Sequence, residues 1–214
     1  MRNFRAVIFD MDGVIVNSEP HHERAFLDVI RELGYAGLGD LKFADYVGRS
    51  DFDLWVDFIA KYKPAQTLDE LLALKRQRVI EVLREVQPIF DGVSRLAQKL
   101  AGTYPLAIAS GSEHPVIQAV LTMEDLRRYF RVVVSSSDVK QGKPAPDIFL
   151  RAAGLLGVDP KDCVVIEDSK PGVMAGLAAG MRVVAITNTH PAVALQAATH
   201  VVKTYEEIER LLLA

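Results

Sequence analysis

Two textures of hydrophobic patterning divide the chain. From about residue 91 onward, short apolar β-rich runs at 105–110, 131–135, 162–167, 182–187 and 200–203 alternate with stretches of helical period near 91–101, 114–123, 145–156, 170–180 and 205–213. One more apolar run, 4–9, ends at Asp10. Uninterrupted apolar runs, without the alternation of a half-solvated strand, read as strands covered on both faces. Their alternation with helices implies βαβ units and a parallel sheet. The expected fold class is therefore α/β, a Rossmann-like, doubly wound parallel sheet with its active groups at the carboxyl ends of the strands.

Residues 20–86 have helix signals and no convincing strand. Ala25, Phe26, Val29, Ile30 and Leu33 share one helical face, and Gly34 follows as a C-cap. Ser50 with Asp53, and Thr67 with Glu70, match the capping box, in which side chains satisfy the first orphan amides of a helix. Leu54, Val56, Phe58 and Ile59 follow the first box, and Leu71, Leu72, Val79 and Leu83 the second. The pattern predicts a bundle of about four helices. The expected organisation is an α/β core of residues 1–15 and 88–214 interrupted by a helical cap, 16–87, with hinges near 14–19 and 84–91.

Composition narrows the function by exclusion. The 214 residues carry 25 Lys+Arg against 28 Asp+Glu, a formal net charge of −3. Nothing in that balance favours nucleic acid or an anionic membrane surface. No apolar run approaches the ~18 residues of a membrane span. The first residues turn acidic too soon for a secretory signal, so a cytoplasmic protein is expected. A single cysteine, Cys163, excludes an intramolecular disulfide and a cysteine zinc cluster, and its apolar strand suggests an inert buried thiol.

Four short motifs carry candidate chemistry, each at a predicted strand end. Asp10-Met11-Asp12-Gly13 sets two carboxylates two residues apart where a strand gives way to a loop. The pair suits a carboxylate nucleophile beside a general acid/base, with Mg²⁺ offsetting the charge. An acidic turn with Gly13 in the left-handed region is the plainer alternative, while the loop lacks the ligand spacing of an EF-hand. Ser110-Gly111-Ser112 offers N–H and O–H donors to an anion, and a helix opening at His114-Pro115 would add its dipole. Gly142-Lys143-Pro144 supplies a loop cation, yet Pro144 stands where a phosphate-binding P-loop needs Ser or Thr. Glu167-Asp168 fits a hard-cation site or, for Asp168 or Ser169, a helix N-cap. Together they supply the parts of phosphoryl transfer.

In this order the motifs resemble those of the haloacid dehalogenase superfamily, in the branch with a helical cap after the first strand. That branch includes phosphoglycolate phosphatase-like and β-phosphoglucomutase-like proteins. Phe9-Asp10-Met11-Asp12-Gly13-Val14 resembles the first family motif, Ser110-Gly111-Ser112 the second, Gly142 to Asp147 the third, and Ile166-Glu167-Asp168-Ser169 the fourth. The resemblance implies that Asp10 attacks phosphorus and that Asp12 protonates the leaving alcohol and then activates water. It implies Mg²⁺ between Asp10, Asp168 and the Asp12 carbonyl, supported by Glu167. Ser110, Ser112, Gly111 and Lys143 would hold phosphate oxygens. Dehalogenases lack an aspartate at the position of Asp12, and phosphonatase-like members carry Ala there, so both activities are disfavoured.

The resemblance also places substrate choice in the cap. His22 matches a histidine that, in the mutases, couples cap closure to the acid/base, although it also sits at core spacing from Ala25, Phe26 and Val29. Arg49 lies in a loop whose arginine grips a distal anion in relatives. Lys75 and Arg76 lie on a charged helix and read mainly as a solvated face; Trp55 reads as cap core, and His114 as a substrate contact or merely a helix start. The expected activity is a Mg²⁺-dependent phosphomonoesterase for a small phosphorylated metabolite, with a phosphosugar mutase as the alternative and a catalytically silent binding protein as the rival from another class. The expected assembly is a monomer or weak homodimer.

Overall fold

The computed structural model describes residues 4–35 and 51–214. Arg49 and the Ser50 end of the first capping box lie outside the described residues. Two compact units are present, one formed by Met1–Asn17 with Gln87–Ala214 and the other by Ser18–Val86.

The first unit is built on a six-stranded parallel sheet in the order β3-β2-β1-β4-β5-β6. The strands are β1 (Ala6–Phe9), β2 (Leu106–Ala109), β3 (Phe130–Val134), β4 (Cys163–Glu167), β5 (Arg182–Ile186) and β6 (His200–Val202). Every residue of β1, β2 and β4 is buried, as uninterrupted apolar runs require when both faces are covered. Ala6, Ile8, Ala107, Ala109, Cys163, Val165, Val183 and Ala185 line one face, with Phe149 and Val173 from the covering helices in the same cluster. Those helices are α6 (Asp147–Leu156) and α7 (Lys170–Ala178). Helix α4 (Val93–Ala101) packs on β2 and on α8 (Tyr205–Leu213), while α5 (His114–Thr122) follows β2.

Register decides where the chemistry falls. Phe9 pairs with Ile108 on one side and with Ile166 on the other. Pairing continues one residue further where the Asp10 amide donates to the Ile166 carbonyl at 2.9 Å. Asp10 and Ser110, just past β1 and β2, and Glu167, the last residue of β4, therefore emerge at one end of three adjacent strands. Cys163 is buried at the other end of β4, where burial lifts its thiol to about 11.

The second unit contains α1 (Glu19–Glu32), α2 (Asp51–Tyr62) and α3 (Leu68–Val86) among the described residues. Phe26, Trp55 and Phe58 are fully buried together, so Trp55 is core as expected. Gly34 ends α1 at φ +88°, the left-handed conformation that a C-terminal cap favours. The second capping box is formed: the Thr67 amide donates to Glu70 Oε2 at 2.7 Å and the Glu70 amide to Thr67 Oγ1 at 3.3 Å. One apolar position faces outward, and one expectation needs correction. Val56 is exposed, because Leu54, Trp55 and Phe58 define the inward face and Val56 points away from it. Lys75 is not solvated: it is 2% exposed, because its spacing of four from Leu71 and Val79 puts it on their buried stripe.

Gly172, Gly176 and Gly180 serve three separate purposes. A Cβ at Gly172 would overlap the Glu167 carboxylate, whereas one at Gly176 would lie 2.7 Å from Val183 Cγ2 on the sheet. Gly180 ends the helix region at φ +76°. Gly176→Ala should therefore destabilise the protein by about 1–3 kcal/mol through overpacking. Gly154→Ala, on exposed α6 backbone with nothing near its added Cβ, should stabilise by about 0.5–1 kcal/mol. Urea melts of the two variants check the contrast; equal shifts of the same sign would remove the close-approach explanation.

Candidate active site

At the carboxyl end of the sheet, loops after β1, β2 and β4 meet the loop that carries Lys143. The Lys143 ammonium lies 2.6 Å from Asp10 Oδ1 and 2.6 Å from Glu167 Oε1. Burial works against its charge, but Asp10 and Glu167 outweigh that and raise its pKa above the ordinary lysine range. Its ammonium also stands 5.1 Å from the centre of the Phe149 ring.

Glu167 is fully buried and fully engaged. Its other oxygen, Oε2, accepts from the amides of Asp168 and Ser169, both at 2.7 Å, and from the Ser169 hydroxyl at 3.0 Å. Ser169 in turn caps α7, accepting from the Gly172 amide at 3.1 Å. The bare face of Gly172 makes room for this carboxylate. Glu167 thus ties the lysine to the start of α7.

Asp10, Glu167 and Asp168 each offer an oxygen within 4.8 Å of the others, and all three residues are buried. Burial pushes the Asp10 carboxyl well above the usual carboxylate range; Lys143 opposes this, while Glu167, Asp168 and Asp12 add to it. Burial and then Glu167 push Asp168 up to about 7, against the Thr189 hydroxyl and Lys143, which favour the anion. The donor set is all oxygen, carries surplus negative charge and converges on a small volume. Those are the properties a hard divalent cation requires. Gly13 at φ +79° completes the cradle, since a Cβ there would overlap the Asp168 carboxylate. The residues present fit a divalent cation, with Asp10 and Asp168 best placed to bind it.

Asp12 faces the second motif. Its Oδ2 accepts from Ser110 Oγ at 3.1 Å and from Ser112 Oγ at 2.9 Å, and the Ser112 amide donates to Ser110 Oγ at 3.0 Å. Gly111 is exposed beside them. The two hydroxyls expected on phosphate oxygens are therefore directed at the acid/base candidate. His114 opens α5 as expected, but its Nε2 lies 2.9 Å from Asp138 Oδ2. Asp138 also accepts from the Ser135 amide at 2.8 Å, and this contact, with His114, holds its carboxyl below its usual pKa.

In the helical unit, His22 and Lys75 form a polar pair, with His22 Nδ1 2.8 Å from Lys75 Nζ. Sequence reasoning underrates Lys75, although its spacing from Leu71 and Val79 marks it. It also misses Thr189, whose hydroxyl donates to Asp168 Oδ2. Thr189 follows β5 at the same sheet end, so the strand-end rule applied to the other loops would have reached it.

Comparison with known proteins agrees with this geometry. The family model for haloacid dehalogenase-like hydrolases matches residues 4–180. Hexitol phosphatase B of Escherichia coli K12 is 35% identical over 86% of this chain and 84% of its own length. The fructose-1-phosphate phosphatase YqaB of the same organism is 35% identical over 83% of this chain and 94% of its own. A β-phosphoglucomutase from Clostridium difficile superposes with a TM-score of 0.80, covering 98% of this chain and 95% of its own at 23% identity, a likeness of fold.

The crowded carboxylates set a pH dependence. Asp168 titrates at about 7 in the fold against 3.8 for a free carboxyl, so its ionisation destabilises the metal-free protein. The stabilising contribution of its neutral form is complete below pH 3.8 and lost as pH rises through 7. Asp168→Asn should accordingly raise the melting temperature in chelator at pH 8 by several degrees, and the gain should vanish near pH 4. Melting curves against pH check this; a uniform loss of stability in the variant would refute it.

Proposed function

This chain belongs to the haloacid dehalogenase-like hydrolases, and from that premise we propose that it is a Mg²⁺-dependent phosphomonoesterase for a small sugar phosphate, acting through an aspartyl-phosphate on Asp10. The observation that carries the reading is the division of labour between two neighbouring carboxylates. Asp10 sits with Lys143, Glu167 and Asp168, while Asp12 is turned toward two serine hydroxyls. One environment suits a nucleophile beside cations, and the other suits a proton carrier held by neutral donors.

In the first step an Asp10 oxygen bonds to phosphorus as the ester P–O bond breaks. Asp12 delivers its proton to the departing alkoxide. In the second step the Asp12 carboxylate takes a proton from water as that water bonds to phosphorus. The bond to Asp10 breaks and inorganic phosphate leaves. Lys143 offsets negative charge on the transferring group and the Gly111 amide steadies its oxygens, while the Ser110 and Ser112 hydroxyls hold Asp12 and turn to phosphate oxygens only by releasing it. Asp10, Asp168 and the Asp12 carbonyl would hold Mg²⁺, which when bound would supply the charge neutralisation that lets phosphate approach a carboxylate. Asp12 is also the feature that separates this chemistry from dehalogenation at carbon.

The sugar-phosphate assignment rests on the hexitol and fructose-1-phosphate phosphatases among its relatives. Within the helical unit, His22 with Lys75, and Arg49, are the candidates for substrate choice.

The test is Mg²⁺-dependent phosphate release across hexitol phosphates, fructose 1-phosphate, hexose 6-phosphates, phosphoglycolate and β-glucose 1-phosphate. One sugar-phosphate class should dominate, and Asp10→Asn should lower kcat by at least ~10³-fold with the fold retained. Turnover surviving in Asp10→Asn, or release indifferent to Mg²⁺, would overturn the reading. Rapid conversion of β-glucose 1-phosphate to glucose 6-phosphate with little free phosphate would make the protein a mutase.

A further inference from the structure

The loop carrying Asp10 and Asp12 is a tight coil. The Met11 carbonyl accepts from the amides of Val14, Ile15 and Val16 at 3.2, 2.7 and 3.1 Å, and the Gly13 amide donates to the Val16 carbonyl at 2.9 Å. Two other carbonyls of this coil are gripped by side chains from distant elements. Asn188, in the loop after β5, donates through Nδ2 to the Gly13 carbonyl at 2.8 Å. Tyr205, the first residue of α8, donates its hydroxyl to the Val14 carbonyl at 2.7 Å. The same hydroxyl accepts from Asn188 Nδ2 at 2.8 Å. Both protons of the Asn188 amide and the one proton of the Tyr205 hydroxyl are thereby used, each in a single direction.

The grip answers a conflict at Gly13. A residue with a side chain cannot stand there, because its Cβ would overlap Asp168. A glycine fits, but its backbone is the most permissive that could stand between Asp12 and Val14. The coil's own hydrogen bonds use the amides of Gly13 and Val14, and Asn188 and Tyr205 add restraint from outside at the two successive carbonyls. Tyr205 is buried, and its ring lies against the open face of Gly92, where an added Cβ would come within 3.5 Å of the ring atom Cδ2. The clamp is thus anchored in the core, while its neighbour Thr189 bonds Asp168 directly.

We propose that Asn188 and Tyr205 are positioning residues of the active site, acting as one clamp that fixes the Gly13 and Val14 carbonyls and so holds the Asp12 peptide and carboxylate in register with Asp10 and Asp168. The catalytic consequence rests on the phosphatase reading above. Neither residue touches the groups that react. Their effect passes through the backbone, in the way that outer partners orient metal ligands.

The experiment uses the full chain and the variants Tyr205→Phe, Asn188→Ala and their double. Mg²⁺ alone is titrated against melting temperature without substrate, and kcat and KM are then measured on the substrate that wild type prefers. Each single variant should raise the half-saturating Mg²⁺ concentration about tenfold. Each should also lower kcat with KM little changed, and the double should do no more than either single, because the two act as a unit. Tyr104→Phe, which removes a hydroxyl bonded to the Leu212 carbonyl at the far end of α8, should leave the Mg²⁺ titration unchanged. Lower melting temperatures with wild-type Mg²⁺ titration and kcat would mean a purely structural role and overturn the proposal. Should Tyr205→Phe not fold, Asn188→Ala decides it on the same readouts. A wild-type protein that neither binds Mg²⁺ nor releases phosphate would sink both readings, whereas a responsive wild type whose variants match it in Mg²⁺ titration and kcat would sink only this one.

Discussion

The Lys143 ammonium is the contact on which the rest of the site depends. At 2.6 Å from both Asp10 and Glu167, it is the cation that lets buried carboxylates gather where the strands end. Its removal would leave those carboxylates facing one another in a low dielectric, a situation proteins relieve by protonation or by opening. The lysine does not act alone. Glu167 passes the restraint to the amides of Asp168 and Ser169, and through the Ser169 cap to the first turn of α7. A loop residue between β3 and α6 thereby fixes the ends of β1 and β4.

The sheet makes this arrangement possible. β1 lies between β2 and β4, so one central strand has neighbours that deliver donors on one side and acidic residues on the other. Ser110 and Ser112 reach Asp12 from β2, and Glu167 and Asp168 reach Asp10 from β4. Two carboxylates two residues apart can hold different environments only because the loop turns them toward different strands. That turn requires Gly13, whose missing Cβ is the space Asp168 occupies.

Much of this is legible in the sequence, for a physical reason. Strands buried on both faces are written as unbroken apolar runs, so their ends are conspicuous, and the polar residues just past those ends are the ones the sheet gathers. Asp10, Ser110 and Glu167 are found that way. Lys75 is misjudged when the charged run Lys75-Arg76-Gln77-Arg78 is weighed by composition, whereas its spacing from Leu71 and Val79 decides its burial. Asn188 and Tyr205 are invisible for another reason. Their partners, Gly13 and Val14, lie 175 and 191 positions away, and a side chain that bonds a backbone carbonyl leaves no trace in the identity of the residue it holds.

The same geometry sets a conflict between stability and ligation. Burial raises the Asp10 and Asp168 carboxyls, so the metal-free fold resists the ionised state that a divalent cation would bind. A divalent cation there would compete with protons, so its affinity would rise with pH as those carboxyls ionise. A bound cation would offset that penalty, because it would bind the folded arrangement and not the separated residues of the unfolded chain. The covered sheet is what makes such a site tolerable. Its strands β1, β2 and β4 are buried throughout, and each fully buried large apolar side chain contributes about 1.5–3 kcal/mol. A site that opposes folding until it is loaded can persist only on a scaffold whose stability lies elsewhere, and here it lies in the strands that end where the charges begin.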